Sequence, residues 1–314
     1  MNEPLIVLTG PTAVGKTALS IRLAKAVGGE IISADSMQVY KGMDIGSAKI
    51  RPEEMEGVPH YLVDILEPDE DFHIVLFQKL AKEAMAKIRE NGHIPILVGG
   101  TGFYIQAVTR DIDFTEAEQE NSYREELLRF VETEGEEALH ARLAQLDPET
   151  AASLHPHNVK RVIRALEFYA QNGKAISAHN EEQREKKSPY NLAYFVLNAP
   201  RPLLYERIDK RVDQMMAAGL LEEVSGLKAM GIERGMSSMQ GLGYKEILDY
   251  LDGKADLPET IRIIKRDTRH FAKRQLTWFR REEDALWIEK DQFGYDDDKI
   301  LAYMLQVLRD KEII

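Results

Sequence analysis

The sequence contains no cysteine. Disulfides, thiolate metal sites and cysteine nucleophiles are therefore excluded, and the absence fits a reducing compartment. The start, Met1-Asn2-Glu3-Pro4, has no basic segment, and its apolar run leads straight into a glycine loop, so no signal peptide is expected. No apolar stretch is long enough to cross a bilayer. The expectation is a cytoplasmic protein with no membrane partner. Metal-ligand spacing is also missing. His60, His73 and His93 are scattered, and His155 and His157 flank a proline, which suits a loop better than a zinc site. Internal repeats and low-complexity segments are absent. An excess of base is absent too: 41 Lys and Arg against 53 Asp and Glu give a net charge of −12. Taken alone, that argues against a nucleic-acid partner. The 314 residues allow one large domain or two.

Gly10-Pro11-Thr12-Ala13-Val14-Gly15-Lys16-Thr17 fits the pattern G-x-x-x-x-G-K-[ST]. Before it, Pro4 to Leu8 reads as a buried strand; after it, Ala18 to Ala24 begins a helix. That context makes the pattern a phosphate-binding loop. Backbone N–H groups and the helix N-terminus suit an anion. Lys16 adds a full charge, and the Thr17 hydroxyl is placed to ligate Mg2+. A second strand, Glu30 to Ser33, runs into Ala34-Asp35-Ser36-Met37-Gln38. Open α/β sheets place ligands at such strand ends, but Asp is equally favoured as the cap of a turn. Both readings of Asp35 stand.

His60 to Ile65 reads as a short strand, His73 to Asn91 as a helix, and Ile94 to Val98 as a buried parallel strand. That last strand ends in Gly99-Gly100-Thr101-Gly102, where an ATP-hydrolysing relative of the loop would carry a magnesium-holding Asp. The glycines let backbone approach closely, and Thr101 offers a hydroxyl or a helix cap. From Phe114 to Lys187 the texture turns helical and polar, with acidic residues crowded between Glu116 and Glu149. Tyr123, Leu127, Leu128 and Val131 could line one helix, and Leu139, Leu143 and Leu146 another. Lys160, Arg161 and Arg164 form a basic face that, on three charges, reads first as solvated surface.

The strand pattern resumes at Leu192 to Leu197. Arg207 and Arg211, at i and i+4, could face one anion. A helix from Pro258 to Arg281 sets Arg262, Lys265, Arg266, Arg269 and Lys273 on one face, with Asp267 the lone acid from Arg262 onward and Trp278 and Phe279 near its end. A basic stripe ending in aromatics suits phosphate neutralisation and base stacking. The expected fold is α/β, a P-loop NTPase-like parallel sheet flanked by helices. Its core spans 1–113 and 188–314, with a helical insertion at 114–187.

These segments, with Gly42 to Gly46, Gly57 to Asp64, Arg161 to Glu167, Gln240 to Lys245 and Lys273 to Arg280, resemble the tRNA dimethylallyltransferase (tRNA isopentenyltransferase) family over about Pro4 to Arg281. The resemblance implies transfer of a dimethylallyl group from its diphosphate to the exocyclic amine of the adenosine 3′ of the anticodon, in tRNAs reading codons that begin with U. It implies diphosphate held by Gly10 to Thr17 (Gly10, Pro11, Thr12, Ala13, Val14, Gly15, Lys16, Thr17) with Arg207 and Arg211. Catalysis would fall to Asp35, Thr101 and Lys16, with Mg2+ on Thr17. It further implies tRNA contact, through the anticodon stem-loop, by Asp35, Ser36, Met37, Gln38, Thr101, Arg124, Val159, Lys160, Arg161, Val162, Ile163, Gln240, Gly243, Tyr244, Lys245, Arg269, Lys273, Arg274, Gln275 and Trp278. A monomer is expected.

Three rivals remain at this stage. A small-molecule kinase on the same fold is disfavoured by the missing strand-end Asp and by the basic helix. An adenylate isopentenyltransferase, acting on free nucleotide, is disfavoured by the long insertion. A non-enzymatic RNA-binding module would leave the phosphate loop and Asp35 unexplained.

Overall fold

The structure, a computed structural model, describes residues 2–114 and 121–314; the side chains of Asn121, Arg184 and Glu185 lie outside that description. So do Glu116, Glu118 and Glu120 of the acidic crowd. The first part of the chain gives β1 (Pro4–Thr9), α1 (Lys16–Val27), β2 (Gly29–Ala34), β3 (His60–Tyr61), α2 (Ile74–Glu90), β4 (Ile94–Gly99) and α3 (Gly102–Thr109). A helical run follows: α4 (Asn121–Glu134), α5 (Glu136–Leu146), α6 (Pro148–Ser153), α7 (Val159–Asn172) and α8 (Ile176–Glu185). The chain then forms β5 (Asn191–Asn198), α9 (Arg201–Ala217), α10 (Leu220–Ala229), α11 (Tyr244–Leu251), α12 (Leu257–Phe279), β6 (Ala285–Glu289) and α13 (Asp297–Asp310). It divides into two compact units, 1–109 with 188–314, and 110–187.

The six strands form one sheet in the order β3-β2-β4-β1-β5-β6, with every pair parallel. The apolar runs of β1, β4 and β5 have the reason expected of parallel strands, which are covered on both faces. Leu5 and Val7 of β1 join Ile32, Leu97 and Val196 in one core, beneath Phe77 and Ala81 of α2. Ile6 and Leu8 join Ile31, Ile96 and Phe195 in the other, beneath Leu19 and Leu23 of α1 and Ile300, Met304 and Leu308 of α13. Strand β3 is shorter than the sequence suggests. Leu62 and Asp64 adopt positive φ (63° and 54°), which turns the chain out of the sheet after Tyr61.

Strand order fixes the site. β4 is inserted between β1 and β2, with Gly99 in register with both Thr9 and Ala34. The loops that leave β1, β4 and β2 therefore lie side by side at the carboxyl edge. In order, they carry the phosphate loop, Thr101 and Asp35.

The helical unit has its own core of Leu127, Leu139, Leu143, Ala151, Val162, Ile163, Ala165 and Leu166. Leu128 is not part of it: one residue round the helix from Leu127, it is 45% exposed. Asp147 binds the unit from inside, accepting from Thr150 N–H (2.9 Å) and hydroxyl (2.7 Å) and from Ser177 N–H (3.0 Å) and hydroxyl (2.7 Å).

Candidate active site

The phosphate loop folds against β5. Gly10 has φ 143°, and a Cβ there would lie 2.4 Å from the Leu197 carbonyl oxygen, so only glycine fits. Gly15, at φ 98°, opens α1. The Lys16 ammonium donates to the carbonyls of Gly10 and Pro11, both at 2.9 Å, and so closes the loop on itself. Burial, and next the nearby Arg211 guanidinium, lower the Lys16 pKa to about 8; Asp35 opposes that fall. Arg211 of α9 is likewise drawn down by burial and held up by Asp35. Two half-buried cations and one carboxylate thus share the edge, and an anion entering there would meet positive charge that water screens only in part.

Asp35 accepts from the Met37 N–H at 2.9 Å through Oδ1. The turn-capping reading is therefore correct. It occupies one oxygen, and Oδ2 has no hydrogen-bond donor among the described residues. Thr101 similarly serves two ends. Its N–H donates to the Ala34 carbonyl (3.2 Å), and its own carbonyl accepts from Tyr104 and Ile105 at the start of α3 (3.0 and 3.1 Å). The Thr101 hydroxyl has no hydrogen-bond partner among the described residues.

The glycines after β4 have a reason the sequence did not show. A Cβ on Gly100 would lie 2.3 Å from Gln275 Nε2, and one on Gly102 would lie 2.2 Å from Trp278 Cδ1. They admit the end of α12 rather than a ligand. Gln275 donates to the Gly100 carbonyl and accepts from the Thr12 N–H, both at 2.9 Å.

Arg207 and Arg211 have different neighbours. The Arg207 guanidinium lies over the Tyr295 ring, 5.9 Å from its centroid, while Arg211 lowers the Lys16 pKa and is itself held up by Asp35. Sequence reasoning also missed Lys290, just after β6. It is 5% exposed, paired with Asp297 at 2.9 Å, and 3.3 Å from where a Gly15 Cβ would sit. No motif marks it; only the sheet brings it there.

Thr17 is exposed and borders a recess of mixed character, lined by Ser20, Ser33, Gln38 and His60 and by Ile31, Ile50 and Val98. The described residues hold no cluster of three or more His, Asp or Glu able to bind a metal. One hydroxyl still fits Mg2+, which keeps several waters and takes one or two protein ligands beside substrate phosphates.

The comparisons with known proteins meet this geometry. The family described as IPP transferase matches residues 38–282, and the one described as isopentenyl transferase matches residues 3–67. The tRNA dimethylallyltransferase of Lachnoclostridium phytofermentans is 60% identical over 312 residues, 99% of each chain. That of Geobacillus thermodenitrificans is 48% identical over 312 residues, 98% of each. The chain belongs to the tRNA dimethylallyltransferase family. The full-length tRNA isopentenylpyrophosphate transferase of Bacillus halodurans superposes with a TM-score of 0.74 at 46% identity, covering 99% of this chain and 98% of that one. A eukaryotic dimethylallyltransferase acting on tRNA gives 0.77 at 33% identity, covering 88% and 69%.

The residues expected to meet RNA in a tRNA dimethylallyltransferase separate into two groups. Several are committed inside the protein. Val162 and Ile163 are buried in the helical core, so their side chains hold α7 in place and do not reach solvent. Val159 packs against that core, and Arg124 is bound to Glu167 through two bonds of 2.8 and 2.9 Å. Tyr244 is fully buried, its hydroxyl donating to Glu223 (2.7 Å). Glu223 also accepts from the N–H groups of Asp44, Ile45 and Gly46, so the Gly42 to Gly46 and Gln240 to Lys245 segments form one braced structure. Within it, Gln240 donates to the Arg234 carbonyl, Met37 fills the space over Gly241, and Gly243 takes φ 94°. Gln38 faces Ser33 and the Ser47 and Ala48 carbonyls. Gln275 and Trp278 are spent on the catalytic edge.

The stripe on α12 also differs from the expectation. Arg262 pairs with Glu259, Arg266 with Asp267, Lys265 with Asp213 and Arg269 with Asp209, the last two acids lying on α9. The neutralising acids were out of sight because half of them belong to another helix. The second group remains outward. Lys273, Arg280 and Arg281 are exposed with no carboxylate partner among the described residues, and so are Lys160, Arg161 and Arg164 of α7. Arg274 lies over the Phe271 ring and Lys245 beside Glu246. Ser36 is half-buried at the Asp35 turn.

Proposed function

We propose that this chain transfers a dimethylallyl group from dimethylallyl diphosphate to the exocyclic amine of the adenosine 3′-adjacent to the anticodon, in tRNAs reading codons that begin with U, with release of diphosphate. The observation that carries this reading is the meeting of Lys16, Arg211, Asp35 and Thr101 at one sheet edge. Two of its relatives are named tRNA dimethylallyltransferase, which supports the transfer to tRNA.

An allylic diphosphate ionises readily because its cation is resonance-stabilised, so the barrier lies in the charge that grows on diphosphate. Lys16, the loop N–H groups and Arg211 would receive that charge already partly desolvated, where fixed donors act more strongly than in water. Mg2+ held by the Thr17 hydroxyl would add neutralising charge to the leaving group. The Thr101 hydroxyl, between the loop and Asp35, would touch the diphosphate or bridge it to the base. The adenine amine is a very weak acid until the new C–N bond forms, and then strongly acidic. Asp35 would orient it through the free Oδ2 and accept its proton late. The adenosine must leave its stack to arrive there, at low cost in a single-stranded loop. Lys273, Arg280, Arg281, Lys160, Arg161 and Arg164 are exposed cations without a carboxylate partner among the described residues and would be open to RNA phosphates.

Incubation with labelled dimethylallyl diphosphate, magnesium and unmodified tRNA should label the tRNA; labelling of free AMP instead overturns the assignment. The same reading has the enzyme act in the cytoplasm, which fractionation of cells tests, and as a monomer, which light scattering of the purified chain tests.

A further inference from the structure

We propose that Gln275 is a positioning residue for the diphosphate loop, and that α12 acts on catalysis from inside the protein as well as through RNA. This rests on reading the loop as a diphosphate cradle. Gln275 is 6% exposed, and its amide joins two loops far apart in sequence. The carbonyl takes the Thr12 N–H of the phosphate loop, and the NH2 gives to the Gly100 carbonyl, next to Thr101. The assignment of O and N is forced, since one partner can only donate and the other can only accept. The amide therefore withdraws the Thr12 N–H from the anion site and fixes the distance between the loop bearing Lys16 and the loop bearing Thr101. Gly100 lacks a Cβ at the point where Gln275 passes, so the backbone is shaped around this amide.

Two variants separate this role from RNA contact and from plain packing. Gln275→Met keeps the bulk and loses both bonds. Its affinity for inorganic diphosphate and its kcat should each fall about tenfold, the scale of one to two hydrogen bonds, while its Kd for tRNA stays within about twofold. Gln275→Glu keeps the acceptor for Thr12 but, when ionised, sets a carboxylate against the Gly100 carbonyl. Protonation restores the donor, so kcat relative to the parent enzyme should rise as the pH falls from about 7 to about 5.5. Weaker tRNA binding with diphosphate affinity intact would overturn the proposal. So would a Gln275→Glu profile parallel to that of the parent enzyme, which is the pattern a packing role gives. If the parent enzyme itself does not bind inorganic diphosphate, the cradle reading fails first and is seen to fail separately.

Discussion

The cations at the sheet edge and the cations along the first half of α12 look alike in sequence and behave as opposites. Lys16 and Arg211 are half-buried, burial lowers the proton affinity of both, Arg211 lowers that of Lys16 further, and Asp35 is the nearby opposite charge for each. Arg262, Lys265, Arg266 and Arg269 each hold a carboxylate of their own, at 2.5 to 2.8 Å. The first pair is kept charged in a place where charge is costly, which makes it responsive to an incoming anion. The second set is already neutralised, and exposed pairs of that kind contribute little.

The largest effects should come from the edge. Asp35→Ala is expected to cut kcat by about 10²–10⁴-fold, the range for a positioned proton acceptor, with tRNA Kd within a few-fold. Lost binding with intact turnover would remove Asp35 from that role. Lys16→Met should cost about 10²–10³-fold in kcat, the scale of one preorganised donor to a developing oxyanion. Single-turnover kinetics at saturating tRNA measure both, and a Lys16→Met loss no larger than that of Arg262→Met would erase the contrast between the two regions.

The next effect is a pH dependence. Lys16 has its pKa lowered to about 8, so it loses its proton as pH rises through that value. Binding of inorganic diphosphate should then weaken about tenfold per pH unit above about 8, if the ammonium is required. Stability should move the other way. An unfolded Lys16 binds its proton up to its ordinary, higher pKa, so between the two values the unfolded state holds more protons and raising the pH favours the folded state. Calorimetric titration and urea unfolding across that window test the two signs. Parallel trends would mean that Lys16 is not the titrating group.

Much of the edge was legible because glycine loops and strand–loop–helix contexts are local. The phosphate loop could be read from spacing and flanks alone, and the parallel sheet from its apolar runs, whereas Asp35 and Thr101 stood open between ligand contact and cap until the family resemblance was added. Burial was legible only where periodicity is clean, which is why Leu128 was misplaced. What joins distant segments was not legible. Nothing near Gly100 says that Gln275 fills its missing side chain, and nothing near Lys265 or Arg269 says that Asp213 and Asp209 wait on α9. Lys290 reaches Gly15 only because β6 lies beside β5. Val162 and Ile163 show a related limit: the segment that faces outward through Lys160 and Arg161 is held by residues that never do.

The smallest effect tests the comparison within one helix. Lys273 and Arg269 are a single turn apart on α12, and only Arg269 is paired. If unpaired charge is what meets phosphate, Lys273→Ala should flatten the dependence of log K for tRNA on log salt by about 0.7–0.9, one phosphate's worth of released counterions. Arg269→Ala should leave that slope unchanged, because Asp209 already occupies its guanidinium and no counterion is displaced from it. Equal slope changes in the two variants would show that the Arg269–Asp209 pair opens on RNA. The carboxylates of α9 would then hold the stripe ready for RNA, and neutralisation in the free protein would no longer separate binding cations from structural ones.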